Sequence, residues 1–196
     1  MKALLKRREV VASLLEDRKN LLVVAGLGST AWDITAAGDA PLNFPLWGGM
    51  GNAAMIGLGL ALAQPKRRVL VITGDGEMLM GLGSLATIGV QKPRNLAIVV
   101  IDNERYGETG MQHTHTAAGI DLAKVAQACG FRATRKILRR AQLASLRAAA
   151  HSLPGPVFAQ VKVIAEKIPL VLPPRDGALL KSRFRKALLG ANADLD

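Results

Sequence analysis

Cysteine is nearly absent from the chain: Cys129 stands alone among 196 residues. That excludes an internal disulfide and suits a reducing cytoplasm. Aromatic side chains are few as well, with one Tyr, two Trp and four Phe, so little is available to stack nucleic-acid bases. No helix-turn-helix or zinc-finger spacing appears either, and the net charge of +11 therefore does not read as a nucleic-acid footprint. Acidic residues are missing altogether between Leu122 and Ala165, where Lys124, Arg132, Arg135, Lys136, Arg139, Arg140, Arg147 and Lys162 carry positive charge. We read these as solvated helix faces and as a match for an acidic partner chain or an anionic substrate. Long apolar runs are lacking too. The longest, Ala53 to Ala63, is broken by Gly57 and Gly59 and is too short to cross a bilayer. Met1 to Arg8 has neither an apolar core nor a cleavage site, so no signal peptide is expected.

What is present is a globular composition, 49% apolar and 21% charged, long enough for one well-cored domain. Val69-Leu70-Val71-Ile72-Thr73 and Ile98-Val99-Val100-Ile101 are short β-branched runs without alternation. Such runs read as strands buried on both faces of a parallel sheet. The first ends in Gly74-Asp75-Gly76-Glu77, after which Met78, Leu79, Leu82, Leu85, Ala86 and Ile88 recur at helical spacing. Gly74-Asp75-Gly76 is thus a strand-to-helix turn at the carboxyl end of a strand, where open α/β sheets bind ligands. Its free N–H groups suit an anion, and a carboxylate beside a phosphate requires a cation between them. Mg²⁺ commonly takes one or two protein oxygens together with substrate phosphates. A neutral second ligand is available at Asn103, beyond the 26 residues 77–102, an interval that holds one helix, one turn and one strand.

Further pieces follow in chain order. Residues 2–19 read as an amphipathic helix, with Leu4, Leu5, Val10, Val11, Leu14 and Leu15 on one side. Leu21 to Ala25 is a strand that ends in Gly26-Leu27-Gly28-Ser29-Thr30-Ala31. This matches a dinucleotide fingerprint, but the acidic residue expected about 20 positions on is missing. Pro41 to Pro45 is read as a loop. Gly48-Gly49-Met50-Gly51 then leads into a helix whose Gly57 and Gly59 suggest close approach of another element or a ligand ring. Glu104 to Thr116 lacks an apolar period and reads as a loop over the sheet edge. His113 and His115 have only His151 as a further histidine, too few for a zinc site, and with Thr114 they could form a polar lid over an acidic substrate. Asp121 caps a helix from Leu122 to Cys129, a second helix spans Arg139 to His151, and Val157 to Val163 is the last strand. The expected division is an N-terminal helix (1–20), a ligand-binding domain (21–165) and a basic C-terminal tail with a short helix (166–196). The fold expected is α/β, a doubly wound and mostly parallel sheet of about six strands.

Gly74-Asp75-Gly76 followed after 26 residues by Asn103 resembles the metal–diphosphate motif of thiamine diphosphate enzymes, with Asp102 where that family has the first of two Asn. The resemblance implies Asp75 and Asn103 as Mg²⁺ ligands by side chain and Arg105 by its carbonyl. It extends to Gly28 and Ser29 as diphosphate contacts. Gly48 would accept a hydrogen bond from the cofactor's aminopyrimidine, and Met50 would prop the cofactor in its bent form. With Gly74, Gly76, Glu77, Tyr106 and Gly107 these complete the implied cofactor-binding set. The family also uses a pyrimidine-binding domain whose Glu activates the cofactor, and nothing in this chain reads as one. A partner (α) subunit is therefore implied, in an α2β2 or larger assembly, with no catalytic residue expected here. The stretch Tyr106 to Thr116 looks most like sulfopyruvate and phosphonopyruvate decarboxylases, which act on small 2-oxo acids. Gln112-His113 departs from the Gln-Pro of some relatives. An acetolactate-synthase-like carboligase subunit or a non-catalytic cofactor-binding module would use the same motifs.

Overall fold

In the computed structural model, residues 5–194 are described. The N-terminal helix α1 is Arg7–Leu15, shorter than the expected 2–19, and Leu4 lies outside the described residues. The chain continues through β1 (Leu22–Ala25), α2 (Ser29–Ala36), β2 (Asn43–Pro45) and α3 (Ala53–Ala63). It then runs through β3 (Val69–Gly74), α4 (Asp75–Met80), α5 (Ser84–Gln91) and β4 (Leu96–Asp102). A small antiparallel pair follows, β5 (Arg105–Tyr106) and β6 (Gln112–His113), and then α6 (Leu122–Ala128), β7 (Ala133–Ile137), α7 (Leu143–Ser152), β8 (Val157–Lys162) and α8 (Gly177–Leu189).

Six strands form one parallel sheet in the order β2-β1-β3-β4-β8-β7. The β-branched runs pay off as expected: β1 and β4 are buried at every position and β3 at all but Gly74. Alternate side chains serve two cores. Val23, Leu70, Ile72, Val99 and Ile101 pack with α1, α2 and α7 on one face. Leu22, Val24, Val71, Ile98 and Val100 pack with α3, α5, α6 and Phe184 of α8 on the other. From β1 the chain moves outward to β2 and then returns past β1 to β3. Helix α2 covers one face and α3 the other, so the strand order reverses between β1 and β3. In doubly wound sheets the ligand crevice opens at the carboxyl ends of the strands at such a reversal.

Four local details differ from expectation. Asn43–Pro45 is a strand rather than a loop; Pro is tolerated because β2 is an edge with β1 as its one sheet neighbour. The apolar period after Gly76 is split between α4 and α5 at Gly81, where a Cβ would lie 2.0 Å from the Gly51 carbonyl oxygen. The loop from Glu104 contains the β5–β6 pair and a 3₁₀ turn, His115–Ala118. Strand β7, Ala-Thr-Arg-Lys-Ile, lacks an apolar run and lies at the opposite edge of the sheet. Gly57 does meet a neighbour closely, since a Cβ there would fall 2.2 Å from Val71 Cγ2, whereas Gly59 has open space. The C-terminal helix α8, capped by the Asp176 carboxylate at the N–H groups of Ala178 and Leu179, sits on the β2 edge with Phe184 edge-on to Phe44 at 5.4 Å.

Candidate functional site

Three strand ends build the site. β3 and β4 are paired so that Gly74 lies opposite Ile101, which brings the Gly74-Asp75-Gly76 turn beside Asn103. β1 pairs with β3 on the other side and delivers the Gly28-Ser29 turn. A cavity of about 160 Å³ opens over these ends. Ser29, Met50, Gly74, Asp75, Gly76, Glu77, Asn103, Arg105, Tyr106 and Gly107 all line it. Gly28 lies beneath, at φ +74, with Glu108 so near that an added Cβ would come within 2.7 Å of its Oε1. Gly48 is exposed, with open space where a Cβ would stand, and does not border the cavity.

Asp75 is buried, 2% exposed. Its Oδ2 accepts from Thr114 Oγ1 at 2.5 Å, and Thr116 Oγ1 lies 3.2 Å away. Burial pushes the Asp75 carboxyl up to about 6; Thr114 opposes this and the Asp102 carboxylate adds to it. A buried carboxylate that resists ionisation is a group for which a bound cation would be favourable. Asn103 Oδ1 accepts from the Arg105 N–H at 2.9 Å, which uses one of the two lone pairs of an amide oxygen and leaves one for a ligand. Tyr106 covers Gly76 so closely that a Cβ there would come within 2.5 Å of its ring.

Glu77 has a joining role. Its Oε2 accepts from the Leu27 N–H at 3.0 Å and from Thr73 Oγ1 at 2.9 Å, tying the β1 turn to the end of β3. Its Oε1 is buried without a partner, and burial raises the Glu77 pKa from its ordinary value. Asp102 is fully buried. It accepts from Thr116 Oγ1 at 2.8 Å, the Glu104 N–H at 3.1 Å, Gln160 Nε2 at 2.6 Å and Lys162 Nζ at 2.9 Å. Lys162 also pairs with Glu104, and these partners raise its pKa although burial opposes them.

Among the residues anticipated as a lid, Thr114 is buried on Asp75, while His113 and His115 are exposed. Reading the sequence missed three contributors: Thr116, Glu108 and Arg7. Thr116 and Glu108 belong to the recognised stretch after Asn103, but only the three-dimensional hairpin turns them toward the site. Arg7 carried no signal of its own.

The site thus defines a parallel α/β domain that offers a carboxylate, an amide oxygen and a glycine-lined turn to one enclosed anion-sized space. Comparison with known proteins agrees. The model of the thiamine pyrophosphate enzyme C-terminal TPP binding domain matches residues 28–161, and the chain belongs to that family. It is 40% identical over 186 residues to sulfopyruvate decarboxylase subunit beta of Methanothermobacter thermautotrophicus, covering 95% of each chain. It is 39% identical to phosphonopyruvate decarboxylase of Streptomyces viridochromogenes over 76% of this chain, and spans 37% of that protein. Among solved structures, benzoylformate decarboxylase from Polynucleobacter necessarius superposes with a TM-score of 0.68 at 21% identity, over 85% of this chain and 34% of that one. That likeness is one of fold. No helix among the described residues is long and apolar enough to cross a membrane.

Proposed function

We propose that this chain is the β subunit of a two-chain, thiamine diphosphate- and Mg²⁺-dependent enzyme that decarboxylates a small 2-oxo acid of the sulfopyruvate or phosphonopyruvate type to an aldehyde. The observation that carries the reading is the convergence of Asp75, Asn103 and Arg105 on one cavity above β3 and β4. The near-complete match to a sulfopyruvate decarboxylase β subunit supports the substrate class.

The residues present fit the cofactor's charged tail. The Asp75 carboxylate, the Asn103 amide oxygen and the Arg105 carbonyl are hard oxygen donors of the kind Mg²⁺ prefers. Ser29 and Gly74, which has open space where a Cβ would stand, line the cavity on its backbone side, and Tyr106 closes it over Gly76. Met50, 36% exposed and lining the same cavity, is the apolar residue available to press on the bent cofactor. When bound, thiamine diphosphate supplies the electron sink for loss of CO₂.

The chain's own residues hold, orient and dry that group. Of its cavity-lining carboxylates, Asp75 is engaged by Thr114, Glu77 is tied to Leu27 and Thr73, and Glu108 lies against Gly28, at the turn we assign to the diphosphate. The activating Glu therefore belongs to a pyrimidine-binding α subunit, with the cofactor at the interface of an α2β2 or larger assembly. His113 and His115, exposed on either side of the Thr114 that bonds Asp75, are the residues we assign to the acidic substrate. A single thiol fits work in a reducing cytoplasm.

The test is co-purification with candidate α subunits, followed by measurement of CO₂ and aldehyde from sulfopyruvate and phosphonopyruvate with thiamine diphosphate and Mg²⁺. Turnover that needs both chains is expected. Full-rate turnover by the lone chain would overturn the two-subunit reading. Acetolactate formed from pyruvate would instead identify a carboligase.

A further inference from the structure

Arg7 reaches the cofactor cavity from outside the span that carries the family motifs. It opens α1, whereas the matched domain begins at residue 28, yet its side chain lines the cavity beside Ser29. The residue is 4% exposed. Its Nη1 donates to Asp33 Oδ2 at 2.7 Å and to the Ser29 carbonyl at 3.1 Å. Asp33 is 1% exposed and also accepts from Arg8 Nε at 3.2 Å. Two guanidiniums thus share one carboxylate, and the trio keeps a surplus positive charge at the edge of an enclosed space. Arg8 is partly exposed and also donates to the Pro169 carbonyl, so Arg7 is the buried cation of the trio that faces the cavity.

One anion already responds to it. Glu108 lies against Gly28 on the same wall, and the field of Arg7 opposes the upward push of burial on its carboxyl. The charge count of the loaded site gives the larger reason. A diphosphate, one divalent cation and the Asp75 carboxylate together remain net negative, and the Arg7–Asp33–Arg8 trio offsets that excess.

We infer that Arg7 is an anion-binding residue of this site, donating to the diphosphate through a guanidinium nitrogen other than the one held by Asp33. The assignment rests on the thiamine diphosphate reading above. Its place beside Ser29 puts the cation at the diphosphate end of the cavity. Asp33 and the Ser29 carbonyl fix the guanidinium in advance, so little side-chain entropy is lost when the anion arrives.

The experiment is calorimetric titration of thiamine diphosphate, and separately of inorganic pyrophosphate, each with Mg²⁺, into the cofactor-free complex of this chain with its co-purified α subunit. Wild type is compared with Arg7→Met and Arg7→Lys. Loss of a charge-assisted hydrogen bond predicts roughly tenfold or greater weakening of both ligands in Arg7→Met, and a smaller loss in Arg7→Lys. A merely structural role would lower the melting temperature while leaving both affinities of the folded protein unchanged, and that outcome overturns the inference. Unchanged affinities with a raised KM for the 2-oxo acid would assign Arg7 to the substrate's anionic group and also overturn it. If Arg7→Met does not fold, Arg7→Lys decides: unaltered affinity for both ligands rejects the role. Wild type that binds neither ligand defeats the cofactor reading itself, a result distinct from the other three.

Discussion

The hydroxyl of Thr114 and the carboxyl of Asp75 lie 2.5 Å apart in a buried site. Thr116 Oγ1 is 2.9 Å from Thr114 Oγ1 and 2.8 Å from Asp102 Oδ1, so one chain of oxygens runs from Asp75 to Asp102. Asp102, at the far end, is also held by the Lys162 ammonium and the Gln160 amide. Burial pushes the Asp75 carboxyl at the near end up to about 6.

The first prediction concerns pH. The folded-state value near 6 lies above the ordinary aspartate value of 3.8, so folded chain binds this proton more tightly than unfolded chain. The group's contribution to stability is therefore complete below about pH 4, declines as pH rises to about 6, and is lost above that. Asp75→Asn removes the titration. The metal-free variant is expected to exceed wild type in stability at pH 8, by up to about 3 kcal/mol, and to match it near pH 4. Urea unfolding at the two pH values measures the difference. In parallel, Asp75→Ala should abolish Mg²⁺-dependent retention of thiamine diphosphate; unchanged retention would remove Asp75 from the ligand set.

Thr114 and its two histidine neighbours separate by role. Thr114→Val leaves Asp75 without its shortest hydrogen bond and should weaken Mg²⁺–thiamine diphosphate binding by roughly tenfold. His113→Ala and His115→Ala, both at exposed positions, should retain the cofactor and raise KM for the 2-oxo acid. Steady-state kinetics on the assembled enzyme, with cofactor affinity measured beside them, distinguishes the two patterns. Unchanged KM in both histidine variants would free the substrate of any contact with this turn.

Met50 tests the division between gripping the tail and shaping the cofactor. Its side chain is 36% exposed at the cavity rim, so Met50→Ala creates no buried void. Binding of Mg²⁺–pyrophosphate should stay within about twofold, because pyrophosphate has no thiazolium to prop, while kcat of the assembled enzyme falls by about tenfold or more. Equal loss of both quantities would count against the propping role.

The central sheet and the approach of Asp75 to Asn103 were legible because each strand carries its own apolar signal. Val69–Thr73 and Ile98–Ile101 are apolar on both faces, and two adjacent parallel strands of matched register bring Asp75 and Asn103 to one edge. Edge strands were harder to read: β2 is three residues that end in Pro45, and β7 sets Thr134, Arg135 and Lys136 in a row between Ala133 and Ile137, without an apolar run. The contacts of Thr116 and Arg7 depend on partners 41 and 26 positions away, and no periodicity encodes such distances. The close approach of Gly81 to Gly51, 30 positions earlier, is of the same kind.

That approach yields the last prediction. A Cβ on Gly81 would stand 2.0 Å from the Gly51 oxygen and 3.2 Å from its Cα. Both are backbone atoms, and Gly51 is itself held at φ +95, so neither side can yield by a rotamer change. Gly81→Ala should destabilise the chain by about 1–3 kcal/mol and displace the Gly48–Gly51 turn, which carries Met50. Gly83, two residues on, has φ −60 and open space where a Cβ would go. Gly83→Ala should therefore be neutral or stabilising by about 0.4–1 kcal/mol, through a less flexible unfolded chain. The two substitutions add the same methyl group within one connection, so differential scanning calorimetry of the pair isolates the contact with Gly51. A fall in melting temperature for Gly81→Ala alone, with weaker thiamine diphosphate binding but intact Mg²⁺–pyrophosphate binding, is the expected result. Equal effects at both positions would mean that the connection between α4 and α5 merely tolerates no side chain, and that Gly51 has no part in positioning Met50.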